Sequence, residues 1–215
     1  MNPSKVLIGN LQRAQVAIDN ALGDPQILAV METHGYTVEK MLDGKNMVAT
    51  VQQYSQQQQA DYGAQFSATD ELNLAKEAAD NKFTRYRDIA KVIFRDDRAA
   101  QQTLGIAGQY PVTYPLWLDR NKQFYANALA NPSLLTALTA NGVTQAQLEE
   151  AQVLVTGVET AYKLRQQKTG SAQQSTHKKN QANKAFSKWT RDFYAIARIA
   201  IADEPQLLEK LGLSE

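Results

Sequence analysis

Residues 89–105 read IAKVIFRDDRAAQQTLG, and residues 196–212 read IARIAIADEPQLLEKLG. Ile89, Ala90, Asp96, Leu104 and Gly105 return as Ile196, Ala197, Asp203, Leu211 and Gly212, all at one constant offset. Outward from this pair the same shift runs on without a gap. Leu22, Pro25, Leu28, Gly35 and Thr37 fall on Leu129, Pro132, Leu135, Gly142 and Thr144. Val48 and Val51 fall on Val155 and Val158, Gly63 on Gly170, and Thr69 on Thr176. The chain has 215 residues, so a tandem repeat of this period divides all of it into residues 1–107 and 108–215. A repeat governs the fold reading before any local feature does.

Each repeat reads as helical. From Pro3 to Leu22, Val6, Leu7, Leu11, Ala14 and Ile18 recur at intervals of three and four, the stripe of an amphipathic helix. Gly23 stops it, and Asp24 then caps a short helix with Pro25 at its first position. Gly35 closes that helix, and Thr37 caps the next, whose seam is Met41, Val48 and Val51. The seam then fades into Gln52-Gln53-Tyr54-Ser55-Gln56-Gln57-Gln58-Gln59. Glutamine favours helix without adding charge, so this run predicts an arm projecting beyond the core. The rival reading is a disordered polar tract. Gly63 to Thr69 is the expected turn, with Thr69 capping a return helix through Ala75, Ala79, Phe83, Tyr86, Ala90 and Ile93. The second repeat copies this plan. Leu148, Val155 and Val158 go out, Gly170 marks the turn and Thr176 the cap, and Ala182, Phe186, Trp189, Phe193, Ile196 and Ala200 return. Each long helix is then about 25 residues and about 37 Å. Gly105 to Pro115, with Gly108 and Pro111, is the linker between repeats. The expected fold is all-α, one elongated bundle of four long helices with short flanking helices, in which each hairpin buries its seam against the other.

Composition narrows the functional classes. No apolar stretch is long enough to span a bilayer, and Met1 to Ile8 lacks the sustained apolar stretch of a signal peptide. The chain has no cysteine, which removes disulfides and thiolate chemistry and makes the cytoplasm the default location. His34 and His177 stand in no Glu-x-x-His pair of the kind that loads metal into helical bundles. Gly105-Ile106-Ala107-Gly108 lacks the lysine of a phosphate loop, and no G-x-S-x-G elbow occurs. Asp96-Asp97 and Asp203-Glu204 sit where short helices begin, a position that favours acids. The sequence therefore points to a protein that is not an enzyme and that carries no cofactor or metal.

Charge is what remains. Net charge is +1, yet residues 1–107 carry 11 Lys and Arg against 13 Asp and Glu, and residues 108–215 carry 12 against 9. Lys163, Arg165, Lys168, Lys178, Lys179, Lys184, Lys188 and Arg191 form a basic arm with no acid between Thr160 and Arg191. The equivalent window of the first repeat is acidic, holding Asp61, Asp70, Glu71, Glu77 and Asp80 against Lys76 and Lys82. Side by side, such arms are solvated faces that relieve mutual repulsion, or they dock acidic tip to basic tip on a protein partner or a second copy. A third reading is nucleic-acid or anionic-surface binding, since Lys184, Lys188 and Arg191 share a helical face and can track phosphates. Tyr162 is then the residue placed to stack on a base, whereas Phe186 and Trp189 belong to the seam. Tyr110, Tyr114, Trp117, Phe124 and Tyr125 cluster around the linker, where they either pack the second leading helix or line a small-molecule groove.

The run Trp189-Thr190-Arg191-Asp192-Phe193-Tyr194-Ala195-Ile196-Ala197-Arg198 leads into Asp203-Glu204-Pro205-Gln206-Leu207-Leu208-Glu209-Lys210-Leu211-Gly212. It resembles the closing segment of uncharacterised bacterial all-helical proteins, in which an aromatic helix precedes D-x-P-x-L-L-x-x-L-G. The resemblance covers only the segment from Trp189 to Gly212, implies a helical bundle of bacterial origin, and carries no functional residue. Arg98 stands in the first repeat where Pro205 stands in the second. Composition and charge together predict an interaction or scaffold protein working through oppositely charged arms, with phosphate-backbone or anionic-surface binding as the alternative.

Overall fold

A computed structural model describes residues 3–111 and 113–213. Met1 and Asn2, part of the N-terminal stretch read against a signal peptide, and Val112 of the expected linker lie outside the described residues. The described chain is all-α, with the order α1 (Pro3–Gly23), α2 (Pro25–Thr33), α3 (Val38–Ile93), α4 (Arg98–Thr103), α5 (Tyr114–Ala130), α6 (Pro132–Ala140), α7 (Gln145–Ala200) and α8 (Pro205–Lys210). Helices α2 and α6, α3 and α7, and α4 and α8 match in length, and each pair is offset by the period of the sequence repeat.

The caps follow the sequence. Asp24 accepts from the amides of Gln26 and Ile27 at 3.0 and 3.4 Å, and Asn131 takes the same role before Pro132. Thr37 receives the Lys40 amide at 3.3 Å, and Asp97 the Ala100 amide at 2.9 Å. Gly35 and Gly142 close α2 and α6 at φ of 78° and 83°, a left-handed turn that disfavours any residue with a Cβ.

The expected turns are absent. Residues 63–69 and 170–176 are α-helical, and α3 and α7 each run unbroken for 56 residues. The four long segments exist, joined in pairs without a hairpin. Thr69 and Thr176, expected as caps, bond back to the carbonyls of Gln65 and Ala172 at 2.8 Å, as threonine does inside a helix. The Gln-rich run is ordered helix, not a disordered tract. The reason is register. Steps of seven from Met41 reach Val48, Ser55, Tyr62, Thr69, Lys76, Phe83 and Ala90, and from Gly44 they reach Val51, Gln58, Gln65, Leu72, Ala79, Tyr86 and Ile93. A turn would reset that phase, and the phase holds. Polar residues merely occupy the seam in mid-helix, where Gln58 donates to Thr176 Oγ1 at 2.8 Å and accepts from Lys179 Nζ at 2.7 Å.

The described residues pack as two compact units, one from residues 3–61 with 171–213 and one from the described residues of 62–170. The boundaries fall inside α3 and α7, not at residue 107. In the first unit, Ile18 of α1, Ile27 and Met31 of α2, Met41, Val48 and Val51 of α3, Phe186 and Phe193 of α7, and Leu211 form one buried cluster. In the second, Phe83, Tyr86 and Ala90 of α3 pack with Phe124 and Tyr125 of α5, Leu138 of α6, and Leu148 and Val155 of α7. Each fully buried Leu, Ile or Phe stabilises its unit by about 1.5–3 kcal/mol. Val6, expected on the apolar stripe of α1, is exposed. No helix among the described residues is long and apolar enough to cross a membrane.

Candidate anion-binding groove

The structure distributes the basic residues between the units. Lys163, Arg165 and Lys168 belong to the second, and Lys178, Lys179, Lys184, Lys188 and Arg191 to the first. The acidic set divides likewise, with Asp61 in the first unit and Asp70, Glu71, Glu77 and Asp80 in the second. Because α3 and α7 are continuous, neither set forms a hairpin tip, which corrects the picture of two charged arms. Several members have local partners: Lys163 pairs with Glu159 at 3.1 Å, Lys179 donates to Gln58, and Asp61 accepts from Gln57 at 3.0 Å.

Asp80 is a packing residue. Its carboxylate accepts hydrogen bonds from the Tyr110 hydroxyl and the Trp117 indole, and Lys76 Nζ meets it at 2.5 Å. Burial, reinforced by that carboxylate, pushes the Tyr110 phenol up to about 12. Trp117, Phe124 and Tyr125 are fully buried, and Phe83 meets Phe124 edge to face at 5.5 Å. The aromatic cluster around the linker therefore packs α5 and lines no groove among those described. Tyr162, the residue expected to stack on a base, is covered by Tyr114 at 3.8 Å with nearly parallel rings.

The first unit keeps a coherent basic face. His177, Lys184, Arg191 and Arg198 follow one another at seven-residue steps on α7, with Lys188 beside them, and all are exposed. Lys178, Lys184, Lys188 and Arg198 enter no ion pair among the described residues. At the end of this face lies a groove of about 390 Å³, lined by Asn10 and Arg13 of α1, by Phe186, Ser187, Thr190, Arg191, Tyr194 and Arg198 of α7, and by Gly212 and Leu213. Among the described residues its lining holds three arginines and no carboxylate. Arg13 is steadied by Asn10, whose Oδ1 accepts from Nη2 at 2.6 Å. Arg191 Nε has Asp192 Oδ1 at 3.5 Å, while its side chain stays largely in solvent. The Thr190 hydroxyl is buried without a hydrogen-bond partner among the described residues. Burial raises the Tyr194 phenol, and the charges of Arg13 and Arg198 work against that rise, which places both cations within electrostatic reach of it. Sequence reasoning named only Arg191 of the three. Arg13 and Arg198 stand near opposite ends of the chain, and no spacing rule joins them.

Among the described residues, no group of three or more His, Asp or Glu is placed to hold a metal ion. Compared with protein-family models, curated proteins and solved structures, the chain matches none.

Proposed function

We propose that the chain is a non-enzymatic interaction protein that docks on an acidic protein surface through the basic face of α7. The observation that carries this reading is the pair of exposed cations Lys184 and Lys188 on that face, flanked round the helix by exposed Lys178, none of which a carboxylate of the described residues bridges. Charge of one sign along one face steers encounter and fixes register more than it adds affinity. The complementary surface belongs to a partner or to a second copy, whose Asp70, Glu71 and Glu77 are exposed on α3. A cysteine-free chain suits the bacterial cytoplasm as the setting for such docking.

Light scattering at low and high salt, with fluorescent polyglutamate and a labelled DNA duplex as parallel probes, tests the reading. A mass above 23.9 kDa that falls with salt, or salt-sensitive polyglutamate binding, supports it when Lys178→Glu, Lys184→Glu and Lys188→Glu together abolish the effect. A monomer at both salts that ignores polyglutamate overturns it. Binding of the duplex alone would favour the phosphate-backbone alternative, for which the Lys184, Lys188 and Arg191 spacing speaks.

A further inference from the structure

The groove at the end of the basic face differs in kind from the face itself. It is concave, it is built from two helices and the segment after α8, and its cations are all arginines. Two lysines of the first unit meet acids, Lys45 with Asp19 at 2.8 Å and Lys210 with Asp24 at 2.7 Å. Arg13 and Arg198 enter no ion pair among the described residues, and both line the groove with Tyr194. Three like charges around one hollow repel one another, and an anion between them turns that repulsion into attraction. A carboxylate is satisfied by one bidentate guanidinium, whereas three arginines lining one groove suit an anion with more oxygens and more charge. The Thr190 hydroxyl, buried at the edge of the groove and without a partner among the described residues, is a further polar group at that position. Phe186, Tyr194 and Leu213 supply an apolar wall next to the cations. The volume falls in the range of small-ligand sites, about 300–1,000 Å³.

We propose that this groove binds a phosphate monoester carried on an aromatic body, with Arg13, Arg191 and Arg198 holding the dianion and Phe186, Tyr194 and Leu213 receiving the ring. The site does not depend on the docking reading, because Lys178, Lys184 and Lys188 lie outside the groove lining. A free aryl phosphate and a phosphotyrosine side chain present the same chemistry, and the experiment separates them.

Calorimetric titration of the full chain with phenyl phosphate, phenyl sulfate and a short tyrosine-phosphorylated peptide is the test. Phenyl phosphate is expected to bind more tightly than the singly charged phenyl sulfate. Arg13→Gln and Arg198→Gln are each expected to weaken it by about tenfold or more, the ordinary cost of losing a hydrogen bond to a charged group. Both residues are exposed, so the variants keep the fold, and far-ultraviolet circular dichroism checks that. Lys178→Gln with Lys184→Gln is expected to leave the affinity unchanged. Tighter binding of the peptide than of phenyl phosphate assigns the ligand to a phosphorylated partner, and the reverse order to a free small molecule. No binding of either phosphate overturns the proposal. So does equal binding of sulfate and phosphate, an affinity untouched in both arginine variants, or a loss confined to the lysine variant.

Discussion

Gly44 has no side chain because the Trp189 indole occupies the place where a Cβ would stand. The indole cannot easily move aside, since Phe193 stacks on it at 5.1 Å and Tyr36 meets its edge at 5.9 Å. The equivalent position in the second repeat is Ala151, and the first-repeat equivalent of Trp189 is Lys82. A small side chain is thus absent only where the large ring is present. Gly44→Ala sets two effects against each other. Helix propensity favours alanine by about 1 kcal/mol. Overpacking a filled core costs about 1–3 kcal/mol, and a ring held on two sides places this site toward the upper end. The expected result is a net loss of about 1–2 kcal/mol in urea unfolding. Gly63→Ala is the control, because a Cβ at Gly63 meets nothing within 4 Å, and it is expected to gain up to about 1 kcal/mol. Equal gains at both positions would mean that Trp189 does not constrain Gly44.

The two long helices hold the main lesson about what the sequence carries. Caps at Asp24 and Thr37 were legible because a side-chain oxygen before an apolar run is a local signal, and Asp97 was legible only as an acid at a helix start. The apolar ends of each seam were legible for the same reason. Continuity through Gly63 and Gly170 was not, because an apolar search sees Ser55, Gln58, Gln65 and Thr69 as a gap in the seam. Those residues keep the seven-residue phase, with Gln58 bonding across the seam, and phase distinguishes a polar stretch of helix from a turn. The groove was legible only at Arg191, since tertiary packing alone brings Arg13 and Arg198 into one lining. Continuity itself is open to test by Gly63→Pro. In a hairpin turn proline would be tolerated. Inside α3 it removes an intrahelical hydrogen bond and clashes with the preceding turn, and the expected loss is about 3 kcal/mol. Unchanged stability in chemical denaturation would restore a turn at that point.

At the scale of the whole chain, packing and sequence divide the molecule differently. Residues 1–107 contain α1, α2, α3 and α4, yet the core that α1 and α2 join is completed by Phe186, Phe193 and Leu211 from beyond residue 170. Likewise Phe83 and Tyr86 complete a core whose other members, Phe124, Leu138 and Leu148, lie in residues 108–215. The exchange also evens out charge. The sequence halves are unequal, but residues 1–61 with 171–215 carry 11 basic and 11 acidic groups, and residues 62–170 carry 12 and 11. Neither half of the sequence can therefore bury its own seam. Each has two ways out, pairing with the other half or with a copy of itself. Self-pairing of residues 1–107 would put Ala79 where Phe186 belongs and Lys82 where Trp189 belongs, leaving a cavity and a misplaced charge beside Gly44. Replacing a buried phenylalanine by alanine costs about 3–5 kcal/mol, so the mixed pair should win. Separately produced fragments 1–107 and 108–215 are expected to show low helicity or loose self-association. On mixing they are expected to gain helical circular dichroism and elute as a one-to-one complex near 23.9 kDa. Two fragments that each fold as helical monomers and ignore one another would mean that the repeats, and not the exchanged halves of α3 and α7, are the units that fold.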